Sequence, residues 1–201
     1  MTDWVNAEET FQALLDESDL SENQLLRFSY AQSLFYQEKY DLAATSYFQS
    51  LKNGEENENS LITRFYLAKS LMHLGELSVA QGYYDDFLIR AGKLSKYSEN
   101  ISHLVQLAQI ETADLTVAAK KYETAFKQYS DVLNEVTGPD HAWIEAQMKY
   151  CRIKMKIEPE TAVDLEKINN SAMLEDKWHQ VVASNLILMQ QYPDYFRGGT
   201  N

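Results

Sequence analysis

The chain has 201 residues, a formal net charge of −12, and hydrophobic side chains at 45% of its positions. This composition allows a buried core, whereas the negative charge opposes contact with phosphate backbones, so we expect no nucleic-acid partner. The 7 Gly and 3 Pro are few for a sheet protein with many tight turns, which favours long helices.

The first predicted element is a single amphipathic helix near the N-terminus. In DWVNAEETFQALL, the residues Trp4, Phe11 and Leu15 recur at helical spacing. We therefore expect one helix over residues 3–16, without a helix before it to form a hairpin.

Two helical hairpins are predicted next, over residues 24–52 and 61–91. In each, a first amphipathic segment with one alanine precedes a second segment that has an alanine and, four residues later, a tyrosine. These marker residues are Ala31, Ala43 and Tyr47 in the first hairpin and Ala68, Ala80 and Tyr84 in the second. The polar stretch KNGEENENS (52–60) is expected to form the loop between them.

A third hairpin is predicted over residues 106–136, with Ala113, Ala125 and Tyr129 as its markers. The preceding stretch AGKLSKYSENIS either lengthens a helix or forms a loop, with Gly92 expected to end one helix and Ser98 to begin the next.

The last part of the chain carries a degenerate copy of the pattern. After a break at TGPD (137–140), a fourth hairpin is predicted over residues 143–170. A lone helix is expected over residues 173–191, followed by a flexible tail at 193–201.

The recurring unit resembles the tetratricopeptide repeat, a helical hairpin of about 34 residues with small side chains where its two helices approach most closely. The resemblance covers residues 24–91 and 107–136, and Gly75 stands at the turn of one unit as in the family. It implies an all-α fold, a right-handed α-solenoid of about ten helices, forming a single domain over residues 1–192. The alternative is an irregular helical bundle.

In tetratricopeptide proteins the first helix of each hairpin lines a concave groove that holds a partner. The groove residues implied here are Phe28, Gln32, Phe35, Phe65, Tyr66, Lys69, Met72, Ile110 and Asp114. The carboxylate clamp of chaperone cochaperones needs basic and Asn side chains where this chain has Phe28, Gln32, Leu107 and Glu111. The groove instead is similar in character to that of bacterial type III secretion chaperones of the tetratricopeptide class.

Catalytic and metal-binding motifs are missing from the sequence. The 4 histidines are scattered, and no glycine-rich phosphate loop is present. We therefore predict no enzyme activity, no cofactor and no metal site, and interpret Cys151 as a small core residue. The acidic N-terminal segment lacks the features of a secretory signal, and VVASNLILM (181–189) is too short to span a membrane. A cytoplasmic protein without a membrane span is expected.

The sequence thus favours a non-enzymatic adaptor or scaffold that holds an apolar or amphipathic segment of a partner protein in its groove. A secretion-type chaperone, or a fixed subunit of a larger complex with an internally filled groove, is the alternative. An enzyme or an enzyme-regulatory subunit ranks below these. Self-association through the two lone end helices is also left open.

Overall fold

A computed structural model describes residues 3–17, 23–52, 57–94 and 98–155. These residues form eight α-helices and contain no strand, so the predicted all-α class is confirmed for this part of the chain. The helices are α1 (Trp4–Leu15), α2 (Gln24–Phe35), α3 (Tyr40–Lys52), α4 (Glu58–His73), α5 (Leu77–Ala91), α6 (Glu99–Ala118), α7 (Tyr122–Leu133) and α8 (Gly138–Lys154). The predictions for residues 156–201, which include the lone helix and the tail, lie outside the described residues.

Side-chain caps explain why α4 and α6 begin earlier than the sequence pattern indicates. The Asn57 side chain accepts a hydrogen bond from the Ser60 backbone N–H at 3.0 Å, and the Ser60 hydroxyl accepts one from the Asn57 N–H at 3.1 Å. This reciprocal pair satisfies two donors that would otherwise have no partner. The Ser98 hydroxyl similarly accepts from the Ile101 N–H at 3.4 Å, just before α6 begins. The helices α5 and α6 are therefore separate elements.

The turns of the three complete hairpins share one backbone geometry. Each contains a residue with positive φ: Glu38 at 62°, Gly75 at 80° and Lys120 at 59°. The N–H of the following residue donates to a carbonyl five residues earlier, as in the 3.0 Å bond from Glu76 to Leu71. Each of the three residues stands five positions before the marker alanine of its hairpin, so the turn belongs to the repeated pattern.

The chain divides into two compact units, Met1–Ala108 and Gln109–Asn201, with the boundary inside α6. In the first unit α1 packs against α2, α2 against α3, α3 against α4, and α4 against α5, while α2 also contacts α4. Helices that follow each other in sequence are thus neighbours in space, as expected for repeats. The marker residues are completely buried: Ala31, Ala43, Tyr47, Ala68, Ala80 and Tyr84.

The second unit is built on the C-terminal part of α6, on α7 and on α8. Its core cluster combines Ile110 and Ala113 of α6 with Ala125 and Tyr129 of α7 and with residues of α8 such as Trp143. The markers of the third hairpin, including Ala113 and Ala125, are as deeply buried as their counterparts in the first unit. Only a small side chain fits where two helix backbones approach closely, which accounts for the recurring alanine.

Polar contacts with the turn after α2 hold the N-terminal helix α1 in place. The Lys39 ammonium lies 2.6 Å from a Glu8 carboxylate oxygen, and Gln37 Nε2 donates to the same oxygen at 2.7 Å. The hydrogen bond from Lys39 holds the pKa of Glu8 below its usual value. The Trp4 ring stacks on Tyr36 with 4.5 Å between centroids. These contacts anchor α1 to α2 and to the turn that follows it.

Candidate protein-binding surface

An aromatic surface on α2 and α4 contains most of the predicted groove residues of the first unit. We call it the α2–α4 wall, and define it by Leu25, Phe28, Gln32, Phe35 and Tyr36 from α2 and its C-cap, and by Tyr66, Lys69 and Met72 from α4. The residues of each helix recur every three or four positions, so they share one helix face.

Contacts between aromatic rings join the two helices of the wall. The Phe35 ring lies 5.3 Å from Tyr66, 5.6 Å from Tyr36 and 6.1 Å from His73, measured between centroids. His73 in turn stacks on Tyr40 at 4.1 Å. Such ring contacts restrict the side-chain rotamers before any partner binds, which lowers the entropic cost of binding.

The wall is open to solvent to different degrees along its length. Leu25 is 58% exposed and Tyr36 is 47% exposed, whereas Phe35 is buried beneath its ring contacts. The side chains of Phe28, Gln32, Tyr66, Lys69 and Met72 are half-buried. Rigid, partly exposed aromatic groups beside a flexible Met are the kind of side chains that anchor protein partners.

Phe65 does not take part in this surface, although the sequence places it in the groove. Its side chain is only 2% exposed, and its ring lies 5.6 Å from Tyr84 and 5.8 Å from Phe87, both on α5. Phe65 precedes Tyr66, and adjacent helical residues point about 100° apart. Phe65 therefore packs inside its own hairpin and is a core residue.

The two predicted groove residues of α6 belong to the second unit and serve its core. Ile110 is 3% exposed and lies in the core cluster. The Asp114 carboxylate accepts a hydrogen bond from the Tyr129 hydroxyl and another from Trp143 Nε1, the latter at 3.0 Å. Burial and the negative charge of Asp114 raise the pKa of Tyr129. Asp114 thus links α6 to α7 and α8 in the folded chain.

A buried tyrosine beneath the wall was not among the predicted site residues. Tyr47 extends from α3, and its ring lies 6.0 Å from Phe28 and 6.1 Å from Tyr66. Burial raises the pKa of Tyr47, the Tyr66 and Tyr36 hydroxyls raise it further, and a hydrogen bond from the Gln32 side chain lowers it. Tyr47 is the marker tyrosine of the first hairpin. This repeat position is the sequence signal that could have predicted its place between α2 and α4.

The polar atoms of Tyr47 and Gln32 lack hydrogen bonds of normal geometry. Tyr47 Oη and Gln32 Nε2 are both buried from solvent, and the contact between these two side chains falls outside normal hydrogen-bond geometry.

The described residues contain no cluster of the side chains that usually bind metal ions. Among them, no group of three or more His, Cys, Asp or Glu side chains converges as a metal site would require. Burial raises the pKa of the Cys151 thiol to about 11, and the charge of Asp114 adds to the effect, so the thiol stays protonated at neutral pH. A protonated, buried thiol is a poor nucleophile.

Comparisons with models of protein families and with curated proteins find no match to this chain. Within the described ranges, no helix combines the length and the apolar character that crossing a membrane requires.

Proposed function

We propose that this chain is a non-enzymatic adaptor or scaffold that holds an apolar or amphipathic segment of another protein against the α2–α4 wall. The proposal includes the α-solenoid arrangement and the tetratricopeptide resemblance, which the repeated turns and the buried marker residues support. The observation that carries it is the wall itself, in which half-buried aromatic side chains from two helices adjoin the exposed Leu25 and Tyr36.

Two features of the wall favour a protein segment over other partners. Its side chains are mainly apolar or aromatic. When an apolar segment of a partner covers them, both surfaces leave water and the free energy of the complex is lowered. The ring contacts of Phe35 with Tyr36 and Tyr66 hold these anchors in position. An amphipathic helix that lies along a groove uses anchors at this kind of spacing.

The experiment compares two substitutions of similar exposure on different faces of the first unit. Leu25→Glu introduces a charge at the wall, whereas Phe48→Glu does so on α3, where Phe48 is 55% exposed. Both side chains are largely solvated, so we expect neither change to alter the melting temperature much. Phe65→Glu is unsuitable, because it would place a charge in the core.

Affinity capture from the native cell with the wild-type chain and both variants should recover a partner with the wild type and with Phe48→Glu. Leu25→Glu should lose it, and titration of the purified partner should show a Kd weakened about tenfold or more. Equal recovery by all three proteins, or loss with Phe48→Glu alone, would place the interface elsewhere and refute the assignment of the wall.

A further inference from the structure

We propose that α1 is the second helix of a hairpin whose first helix is supplied by residues 177–192 of a second copy of this chain. The surface concerned is the side of α1 that carries Ala7, Thr10, Phe11 and Leu14, which we call the open face. It is not part of the α2–α4 wall, so the inference does not depend on the proposed function. Each copy would offer its open face to one neighbour and its own segment 177–192 to another.

The first hairpin shows which positions of a second helix face the first helix. Ser46 and Ser50 of α3 are buried, and they stand three and seven positions after the marker Ala43. The Ser46 hydroxyl donates to the Arg27 carbonyl of α2 at 3.2 Å. The Ser50 hydroxyl donates to the Gln24 carbonyl of α2 at 3.0 Å. Both positions therefore contact the helix that precedes α3 in the same hairpin.

The second hairpin uses the later of these positions in the same way. Phe87 stands seven positions after the marker Ala80 and is completely buried on α5. Its ring lies 5.8 Å from that of Phe65 on α4, measured between centroids. A second helix thus packs on its own first helix through the residues three and seven positions after its alanine.

The corresponding positions of α1 are accessible to solvent. Phe11 follows Ala7 by four residues, as each marker tyrosine follows its alanine, so Thr10 and Leu14 stand three and seven positions after the α1 alanine. Thr10 is exposed, whereas Ala7, Phe11 and Leu14 are half-buried. The marker pairs of the three complete hairpins are 0% exposed. Because α2 packs against α1 from one side, the remaining exposure marks the side where a first helix would lie.

Residues 177–192 have the sequence of a first helix. A basic residue, an alanine four positions later and a leucine three positions after the alanine occur together at three places in the chain: Arg27, Ala31 and Leu34 in α2, Arg64, Ala68 and Leu71 in α4, and His179, Ala183 and Leu186. In α2 and α4 the alanine is 0% exposed, because it lies where the two helices approach most closely. The third set lies outside the described residues, and its pattern assigns Ala183 the same role.

The distribution of charge supports the same pairing. The three longest stretches without Asp or Glu are residues 23–37, 59–75 and 177–193, and the first two contain α2 and most of α4. Residues 3–17 carry 5 acidic side chains and no Lys or Arg, so an acidic helix would be repelled from α1. Residues 177–192 contain Lys177 and no acidic side chain, and this repulsion is absent.

The test titrates a synthetic peptide of residues 175–192 into the full chain at low concentration, with fluorescence anisotropy as the readout. Thr10→Glu places a charge on the open face. Thr45→Glu on α3 is the matched control, because both threonines are exposed and each hydroxyl donates to the carbonyl four residues earlier, at 2.8 Å from Thr10 and 3.0 Å from Thr45. Both variants should melt at the wild-type temperature, since each changes an exposed side chain.

We expect the wild type and Thr45→Glu to bind the peptide with the same Kd, and Thr10→Glu to bind it at least about tenfold more weakly, because a buried charge would lose its hydration. A peptide with Ala183→Leu should also bind at least about tenfold more weakly, since a larger side chain holds the two helices apart. A peptide with Ser184→Leu should retain its affinity. Its added side chain stands next to the close approach, at the position of the half-buried Gln32 and Lys69.

Sedimentation velocity on the full chain tests the second copy as the source of the helix. The mass of the wild type should rise above 23.2 kDa with concentration, and excess peptide should return it to that value by occupying the open face. Thr10→Glu should keep the monomer mass at the same concentrations.

Equal peptide binding by Thr10→Glu and the wild type, or no binding by either, would overturn the assignment of the open face. Equal binding of the Ala183→Leu and Ser184→Leu peptides would overturn the proposed register of the hairpin. A wild-type chain that binds the peptide but keeps the monomer mass at millimolar concentration would overturn the second copy as the occupant.

Discussion

Tyr129→Phe should destabilise the second unit through the loss of a single hydrogen bond. The substitution keeps the aromatic ring and therefore creates almost no cavity, but it removes the hydroxyl that donates to Asp114. A hydrogen bond to a charged group contributes about 1.5–3 kcal/mol to the free energy of unfolding. Asp114 retains the bond from Trp143 Nε1 at 3.0 Å, which limits the loss. We expect a decrease of about 2 kcal/mol.

Urea unfolding followed by far-ultraviolet circular dichroism measures this change, with thermal melting as a second readout. A decrease of about 2 kcal/mol corresponds to a fall in Tm of roughly 4–8 °C for a chain of this size. Tyr47→Phe is the control, because it makes the same chemical change at the equivalent repeat position. Equal stability of Tyr129→Phe and the wild type would show that the Asp114 bond contributes nothing and would refute the structural role given to Asp114.

Asp114→Ala extends the same reasoning, because it removes the acceptor of two donors at once. The Tyr129 hydroxyl and Trp143 Nε1 would both be left buried without this partner. The expected loss is therefore larger than that of Tyr129→Phe, at about 3 kcal/mol or more. A smaller loss would mean that water reaches both donors in the variant.

Further predictions concern a turn, an ion pair and the thiol. Lys120→Gly should raise the free energy of unfolding by about 1 kcal/mol, because glycine adopts the positive φ of 59° without strain. Gly75→Ala should lower the free energy of unfolding by about the same amount, because it places a side chain at a positive φ. The midpoint of urea unfolding measures both changes. Glu8→Gln should cost less than about 1 kcal/mol, because the contact with Lys39 is partly solvated. Folding lowers the pKa of Glu8, so the ionised carboxylate stabilises the folded chain above about pH 4.5. This stabilisation is lost as the pH falls through the lowered pKa. The Tm of Glu8→Gln should therefore depend less on acid pH than the Tm of the wild type. Cys151 should react with iodoacetamide far more slowly in the folded chain than in urea. Because its pKa rises from 9.0 to about 11 on folding, its stabilising effect is complete below pH 9 and is lost as the pH rises toward 11, which a Cys151→Ala comparison of Tm against pH would reveal. Rapid alkylation of the folded chain would contradict the burial of the thiol.

The sequence indicated the helices and their pairing because both depend on local chemistry. Helical periodicity, the alanine at each close approach and the residue that begins each turn act within one hairpin, so they leave a pattern that a single chain displays. The range 24–52 contains α2 and α3 completely, and the markers Ala31 and Ala43 are fully buried. Helix starts were less accurate, since a cap such as Asn57 with Ser60 adds a turn that apolar periodicity does not record.

The candidate site depended on contacts that the repeat pattern cannot specify. Phe65 and Tyr66 are adjacent and both aromatic, yet one packs against α5 and the other joins the wall, because a helix turns about 100° per residue. Asp114 matched a groove position by spacing, but its carboxylate is bonded to two side chains that follow it by 15 and 29 residues.

The sequence by itself determined that this chain is helical, that its hairpins repeat, and where small side chains must lie. Only the tertiary structure decided which side chains remain accessible and which polar atoms are satisfied. The physical reason is that backbone geometry and helix packing follow from local spacing, whereas accessibility and hydrogen bonding at Tyr47 and Tyr129 depend on whichever side chains other helices bring beside them. Two tyrosines at the same repeat position therefore have different environments.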